Sequence, residues 1–301
     1  MPWLQGAKRR TIVLRDEELR GAVLELIDCH GCCARAQPRF STPNPDLPPN
    51  THTHTHTHAR ALRRPPPTPT SPARSDIYAL GAVSTAELLG CCACTVVLGA
   101  VARNISVSHC EALKLHATSK AIRISNTIDC TAHLCVNTPP LLWGEVHRLW
   151  LAPFVTVYQS LAAHMAAAKV KHSLVANKWD APLSLSDSIV LGEGGGGGGE
   201  RPCSMLPPAR FTPFHVPMDL CPATARGEGV PSYCELPRAY ADALAAHVNR
   251  LASFTREVEG LKCSEPVRAE VQAAMHEGFK EWLHRTGNMR QVQDLLGQES
   301  W

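Results

Sequence analysis

Strict alternation of apolar and polar residues marks the middle of the chain. Ile105-Ser-Val and Ala121-Ile-Arg-Ile repeat with a period of two, which predicts strands with one buried face. Between them a cysteine-led unit recurs: Cys91-Cys-Ala-Cys-Thr-Val-Val-Leu, Cys110-Glu-Ala-Leu-Lys-Leu and Cys130-Thr-Ala-His-Leu-Cys-Val. The steps from Cys91 to Cys110 and from Cys110 to Cys130 are 19 and 20 residues. Val146-His-Arg-Leu-Trp-Leu continues the unit without its cysteine. Short strands, two or three to a period of roughly twenty residues, predict a parallel β-solenoid whose coils stack at about 4.8 Å. Alternation turns Val96, Leu98, Ile105, Val107, Leu113, Leu115, Ile122 and Ile124 inward. The recurring cysteines then form an internal ladder at one corner, where a small apolar thiol fits and Val or Leu is too wide.

The step from Cys29 to Cys91 is 62 residues, too long for one coil. Residues 34–74 account for the excess. They hold Pro48-Pro49, an alternating Thr-His tract from Thr51 to His58, and Pro65-Pro66-Pro67. Such sequence cannot offset the entropy of ordering, so this stretch is expected to be a disordered insertion within one coil. Loop closure grows only logarithmically with length, so both sides belong to one solenoid domain, residues 9–158. Residues 159–192 read as a helix over Ser160 to Val170 and a connecting segment. Gly194 to Gly199 makes 193–202 a flexible linker. The C-terminal part, 203–301, reads as an edge strand at Phe211-Thr-Pro-Phe-His-Val-Pro followed by a helical hairpin. Tyr240, Leu244, Val248 and Leu251 mark the first helix, with Val267, Val271, Met275, Phe279 and Trp282 as the core face of the second.

Composition narrows the function classes. A net charge of +3, with Lys and Arg scattered, argues against nucleic acid as the main partner. The N-terminus has no apolar core of a secretory signal, and no apolar run is long enough to span a bilayer. Thirteen cysteines, an odd count with no such signal, favour reduced thiols in the cytoplasm. Cys29-x-x-Cys32 and Cys91-x-x-Cys94 have the paired spacing of a zinc site, but Cys110 and Cys130 lack the second cysteine, which is how a packing position behaves. The expectation is no bound metal and no cofactor. The Thr-His tract could hold divalent ions weakly or be a simple repeat expansion. Glu200-Arg201-Pro202 follows the Gly run where a phosphate loop needs Lys-Ser/Thr, and no catalytic elbow or dinucleotide fingerprint occurs.

Cys91-Cys-Ala-Cys-Thr-Val-Val-Leu-Gly-Ala-Val, Val107-Ser-His-Cys-Glu-Ala-Leu-Lys-Leu and Thr138-Pro-Pro-Leu-Leu resemble the tubulin-binding cofactor C domain. Asn177-Lys-Trp-Asp-Ala-Pro, Phe211-Thr-Pro-Phe-His-Val-Pro and Glu281-Trp-Leu-His-Arg-Thr-Gly-Asn resemble one branch of that family outside the domain. The resemblance implies a mainly β fold, a right-handed parallel β-helix of the C-CAP/cofactor C type, followed by a C-terminal helical region. Relatives in that branch carry a long helical region before the domain, so this chain is expected to be a fragment or an incomplete gene model.

Two roles follow from the resemblance. Some members are GTPase-activating proteins that insert the Arg of a Gln-x-x-Arg motif into the active site of tubulin or an Arf-like small GTPase. The branch matched here is associated instead with centrosome, spindle-pole or basal-body positioning and Golgi organisation. Alignment on the family motif places Lys120-Ala-Ile-Arg123 over Gln-x-x-Arg, which makes Arg123 the candidate arginine finger. A finger must be exposed and rigidly held to neutralise charge on the transferring phosphoryl group. Lys120 stands where the orienting Gln belongs, and Trp143 where an acid belongs. The expected function is therefore a non-catalytic scaffold in the cytoplasm and cytoskeleton. It is expected to contact protein partners at the microtubule-organising centre, tubulin or an Arf-like GTPase among the candidates, with GTPase activation through Arg123 as the alternative.

Overall fold

A computed structural model describes residues 11–15, 19, 23–27, 34–37, 75–185, 203–216, 233–260, 265–286, 289 and 292. The chain winds as a parallel β-solenoid with two broad walls. One wall is built from β1 (Thr11–Arg15), β4 (Ser75–Val83), the first halves of β6 (Cys94–Ser108) and β7 (Lys114–Ile128), β8 (Thr131–Val136), β10 (Leu149–Pro153) and β13 (Cys203–Met205). The other uses β2 (Val23–Ile27), β5 (Thr85–Leu89), the second halves of β6 and β7, β9 (Leu141–His147) and β12 (Leu183–Ser184). All these pairings are parallel. The bend between walls falls where the register of β6 against β7 shifts, between Val101 and Asn104. β1 lies against β4 and β2 against β5, so the strands before the Pro/His-rich stretch stack directly on those after it.

One boundary needs correction. Residues 34–37, expected to begin the disordered insertion, form β3 (Ala34–Gln37) and pair antiparallel with β2. The unpaired edge of β2 offers backbone hydrogen bonds that outweigh the weak β-propensity of Ala-Arg-Ala-Gln. The remaining 38–74 and the Gly-rich linker lie outside the described residues.

The predicted inward positions are all buried: Val96, Leu98, Ile105, Val107, Leu113, Leu115, Ile122 and Ile124 belong to one continuous apolar core. Cys91, Cys110 and Cys130 line it as a ladder, and Leu149 takes the next rung. Each thiol has two carbonyls within reach of its single proton, one two residues back and one on the coil before. These are Leu89 and Leu26 at 3.8 and 3.7 Å from Cys91, Ser108 and Leu88 at 3.3 and 3.8 Å from Cys110, and Ile128 and Cys110 at 3.4 and 3.6 Å from Cys130. Just ahead of each rung the backbone turns left-handed, at Gly90, His109, Asp129 and Arg148, with φ of 67°, 54°, 56° and 50°. Such a turn costs a non-glycine residue roughly 1–2 kcal/mol. Ladder bonds offset it: His109 N–H donates to the Ser125 carbonyl at 3.3 Å and Asp129 N–H to the His147 carbonyl at 3.1 Å.

A second core lies outside the first wall. Tyr78, Val97, Ala100 and Cys135 face outward and are covered by Phe154, Tyr158, α1 (Leu161–Ala168) and Val216. Gly99 makes this possible, since a Cβ there would stand 2.5 Å from the Tyr158 hydroxyl and 2.6 Å from the Gly81 carbonyl. The cover also buries His116 and His133, which stack with ring centroids 4.4 Å apart. Phe214, of the strand β14 (Phe214–His215) that pairs with β11 (Thr156–Val157), lies on His116 at 4.3 Å, and Thr156 Oγ1 meets His116 Nδ1 at 2.8 Å.

Two long helices follow, α2 (Arg238–Glu259) and α3 (Glu265–Thr286). The first seals the end of the solenoid. Tyr240 donates to the Leu206 carbonyl at 2.7 Å and packs edge-on against Trp179 and Phe211. The second departs from expectation: Val267, Met275, Phe279 and Trp282, read as its core face, are exposed. The five positions fall within an arc of about 120°, an ordinary apolar face, yet Val267, Met275, Phe279 and Trp282 on it are left uncovered.

Candidate protein-binding face

The second wall has no cover among the described residues, and the candidate residues gather at its far end. Ile122 and Ile124 point into the core with 1% exposure each, so the pleat turns Arg123 outward. Arg123 is exposed and makes no ion pair or side-chain hydrogen bond with any described residue. It lies between Ser106 on one coil and Leu141 on the next. Lys120 sits three residues before it at the bend, with its backbone fixed: its carbonyl accepts from Asn137 N–H at 3.2 Å, Thr138 N–H at 2.9 Å and Thr138 Oγ1 at 3.0 Å. Arg123 is thus presented on a rigid element.

Trp143, on β9 opposite Ser125, is 50% exposed. β12 places Leu183 beside Leu141, and Leu185 N–H donates to the Leu142 carbonyl at 2.9 Å, which sets Leu185 beside Trp143. Leu183 and Leu185 are 54% and 70% exposed. Alignment on the family motif singled out Arg123, Lys120 and Trp143 but missed the two leucines. Their only signal was the alternation of Leu183-Ser-Leu185, too short to read as a strand.

The thiols differ from this face in every respect. Cys130 and Cys203 are each pushed up to about 12 by burial, so both stay protonated. Cys94 turns its thiol to the Cys92 carbonyl at 3.0 Å. Cys29, Cys32 and the Thr-His tract lie outside the described residues. Among the described residues no three His, Cys, Asp or Glu side chains converge as metal ligands would. Nor is any helix there long and apolar enough to cross a membrane.

The comparisons agree with the coil architecture. A family model described as "Tubulin binding cofactor C" matches residues 70–183. TBCC domain-containing protein 1 of Rattus norvegicus is 32% identical over 222 residues, 74% of this chain and 36% of the relative. Proteins of the same name from Mus musculus and Homo sapiens are 31% and 28% identical, each over 74% of this chain and 38% and 37% of their own lengths. The chain thus spans a little over a third of the relatives it matches. The cysteine-rung solenoid carries a tubulin binding cofactor C domain, and 74% of the chain is similar to proteins named for that domain.

Proposed function

We propose that this chain is a non-catalytic scaffold of the cytoplasm and cytoskeleton that binds protein partners at the microtubule-organising centre. It would act there in centrosome, spindle-pole or basal-body positioning and in cell or Golgi organisation. The observation that carries the reading is the contrast between the walls: one is covered by the chain's own later segments, mainly Phe154 to Val170, while the other displays Arg123, Trp143, Leu183 and Leu185 to solvent. Exposed apolar and aromatic groups on a rigid sheet support partner binding. The cellular setting comes from the family resemblance. Imaging the tagged chain against a centriole marker tests it. Accumulation at the centre is expected, and diffuse signal in cells that display the marker normally would overturn it.

A second reading keeps Arg123 as an arginine finger toward an Arf-like GTPase or tubulin. Its exposed, unpaired guanidinium on a rigid strand favours this, whereas the neighbouring Lys120 repels it and offers no acceptor. Single-turnover GTP hydrolysis with the wild type and Arg123→Ala separates the two. Stimulation that the substitution abolishes would replace the scaffold reading, and no stimulation is the expected result.

A further inference from the structure

The far end of the open wall joins a cationic edge to an apolar patch. Arg103 and Ala102 lie opposite Lys120 at the register break, Lys120 is bonded to Thr138 on the next coil, and Lys178 N–H donates to Val136 on that same coil at 2.7 Å. Arg103, Lys120 and Lys178 therefore run along one corner of the solenoid, with Arg123 just inside it. All four are exposed, and none makes an ion pair or side-chain hydrogen bond among the described residues. Some surface cations pair, as Arg148 does with Asp129, Arg238 with Asp242 and Lys280 with Glu277, while Lys169, Lys171 and Arg250 stand unpaired like these four; the grouping at one corner is what sets the four apart. Asp180 and Glu145 are the exposed acids at the margins of the patch.

Further along the same wall stand two acids. Glu25 and Glu87 are in register on adjacent strands, between Arg35 of β3 on one side and Ser106 and then Arg123 on the other. Beyond Arg123 the column turns apolar, through Leu141 to Leu183. A nucleic-acid backbone would leave the tryptophan and leucines bare, and an anionic bilayer laid flat over the wall would meet the glutamates. A short acidic segment with apolar side chains matches both halves of the far end.

We propose that this corner and patch form a docking site for an extended Glu/Asp-rich segment of a partner protein, interrupted by bulky apolar side chains. Its carboxylates engage Arg103, Lys120, Arg123 and Lys178, and its apolar groups cover Trp143, Leu183 and Leu185. The inference rests on the scaffold reading and specifies the chemistry of that partner.

The test is fluorescence anisotropy of the full chain with a labelled peptide alternating glutamate with leucine and phenylalanine. Two control peptides carry lysine for glutamate, or alanine for leucine and phenylalanine. The acidic apolar peptide is expected to bind, to weaken as salt rises, and to exceed both controls by roughly tenfold. Trp143→Ala, and separately Lys120→Glu with Lys178→Glu, should each weaken it roughly tenfold while circular dichroism and melting stay as in the wild type. No binding of the acidic peptide, equal binding of the lysine peptide, or unchanged affinity in both variants would overturn the site. Localisation is scored independently: wild type reaching the centre without peptide binding removes only this inference, and peptide binding without localisation removes only the scaffold reading.

Discussion

The two walls of the solenoid are made by the same coils yet treat their outer faces in opposite ways. On the first, Cys94 to Val101 is buried on both sides of the strand; on the second, Asn104 to Ser108 alternates between buried and partly exposed positions. The difference is written in the residues. Thr-Val-Val-Leu-Gly-Ala-Val is a nearly continuous apolar run, as strands covered on both faces are, whereas Asn-Ile-Ser-Val-Ser alternates as half-solvated strands do. A solenoid can therefore assign one wall to stability and the other to recognition while keeping a common core.

Four measurements would break or sharpen that contrast. Phe154→Ala should cost about 3–5 kcal/mol in urea unfolding, because Phe154 is 1% exposed in the outer core. A loss no larger than that of an exposed residue would mean the cover is loose. Acid should act on the same wall. Burial, then its neighbours His133 and Lys114, holds His116 well below its ordinary value, and burial with Lys114 lowers His133 to about 3. Both rings are neutral when folded, so the unfolded chain takes up protons first. Stability should then be full above pH 6.5 and fall steadily from there towards about 3. His133→Leu should flatten that fall in pH-dependent urea midpoints.

Gly99→Ala should cost roughly 1–3 kcal/mol by forcing Tyr158 away from the sheet, and a Tyr158→Phe background should recover part of that loss. On the open wall, Trp143→Ala and Arg123→Ala should each change unfolding free energy by no more than about 0.5 kcal/mol. A large loss at either would show that this wall, too, is part of the stabilising core.

Much of this was legible in the chain, and the exceptions have causes. The rungs were readable because thiols recur at Cys91, Cys110 and Cys130, and because Ile122-Arg-Ile leaves Arg123 only one direction to point. The stacked pair His116 and His133 was not, since two histidines 17 residues apart look unrelated until β7 and β8 set them in register. β3 was hidden by its composition, and for α3 the helix was legible but not its exposure, since its apolar face reads as a buried stripe. In each case a neighbouring element decides the outcome, and local pattern carries no record of it.

Tyr240 has a consequence beyond packing. A stack of parallel strands has no intrinsic length, and its last coil offers backbone donors and acceptors in the register that another copy could use. By hydrogen-bonding Leu206 and packing on Trp179 and Phe211, the tyrosine occupies a carbonyl just past the last strand, one acceptor fewer for an added strand to use.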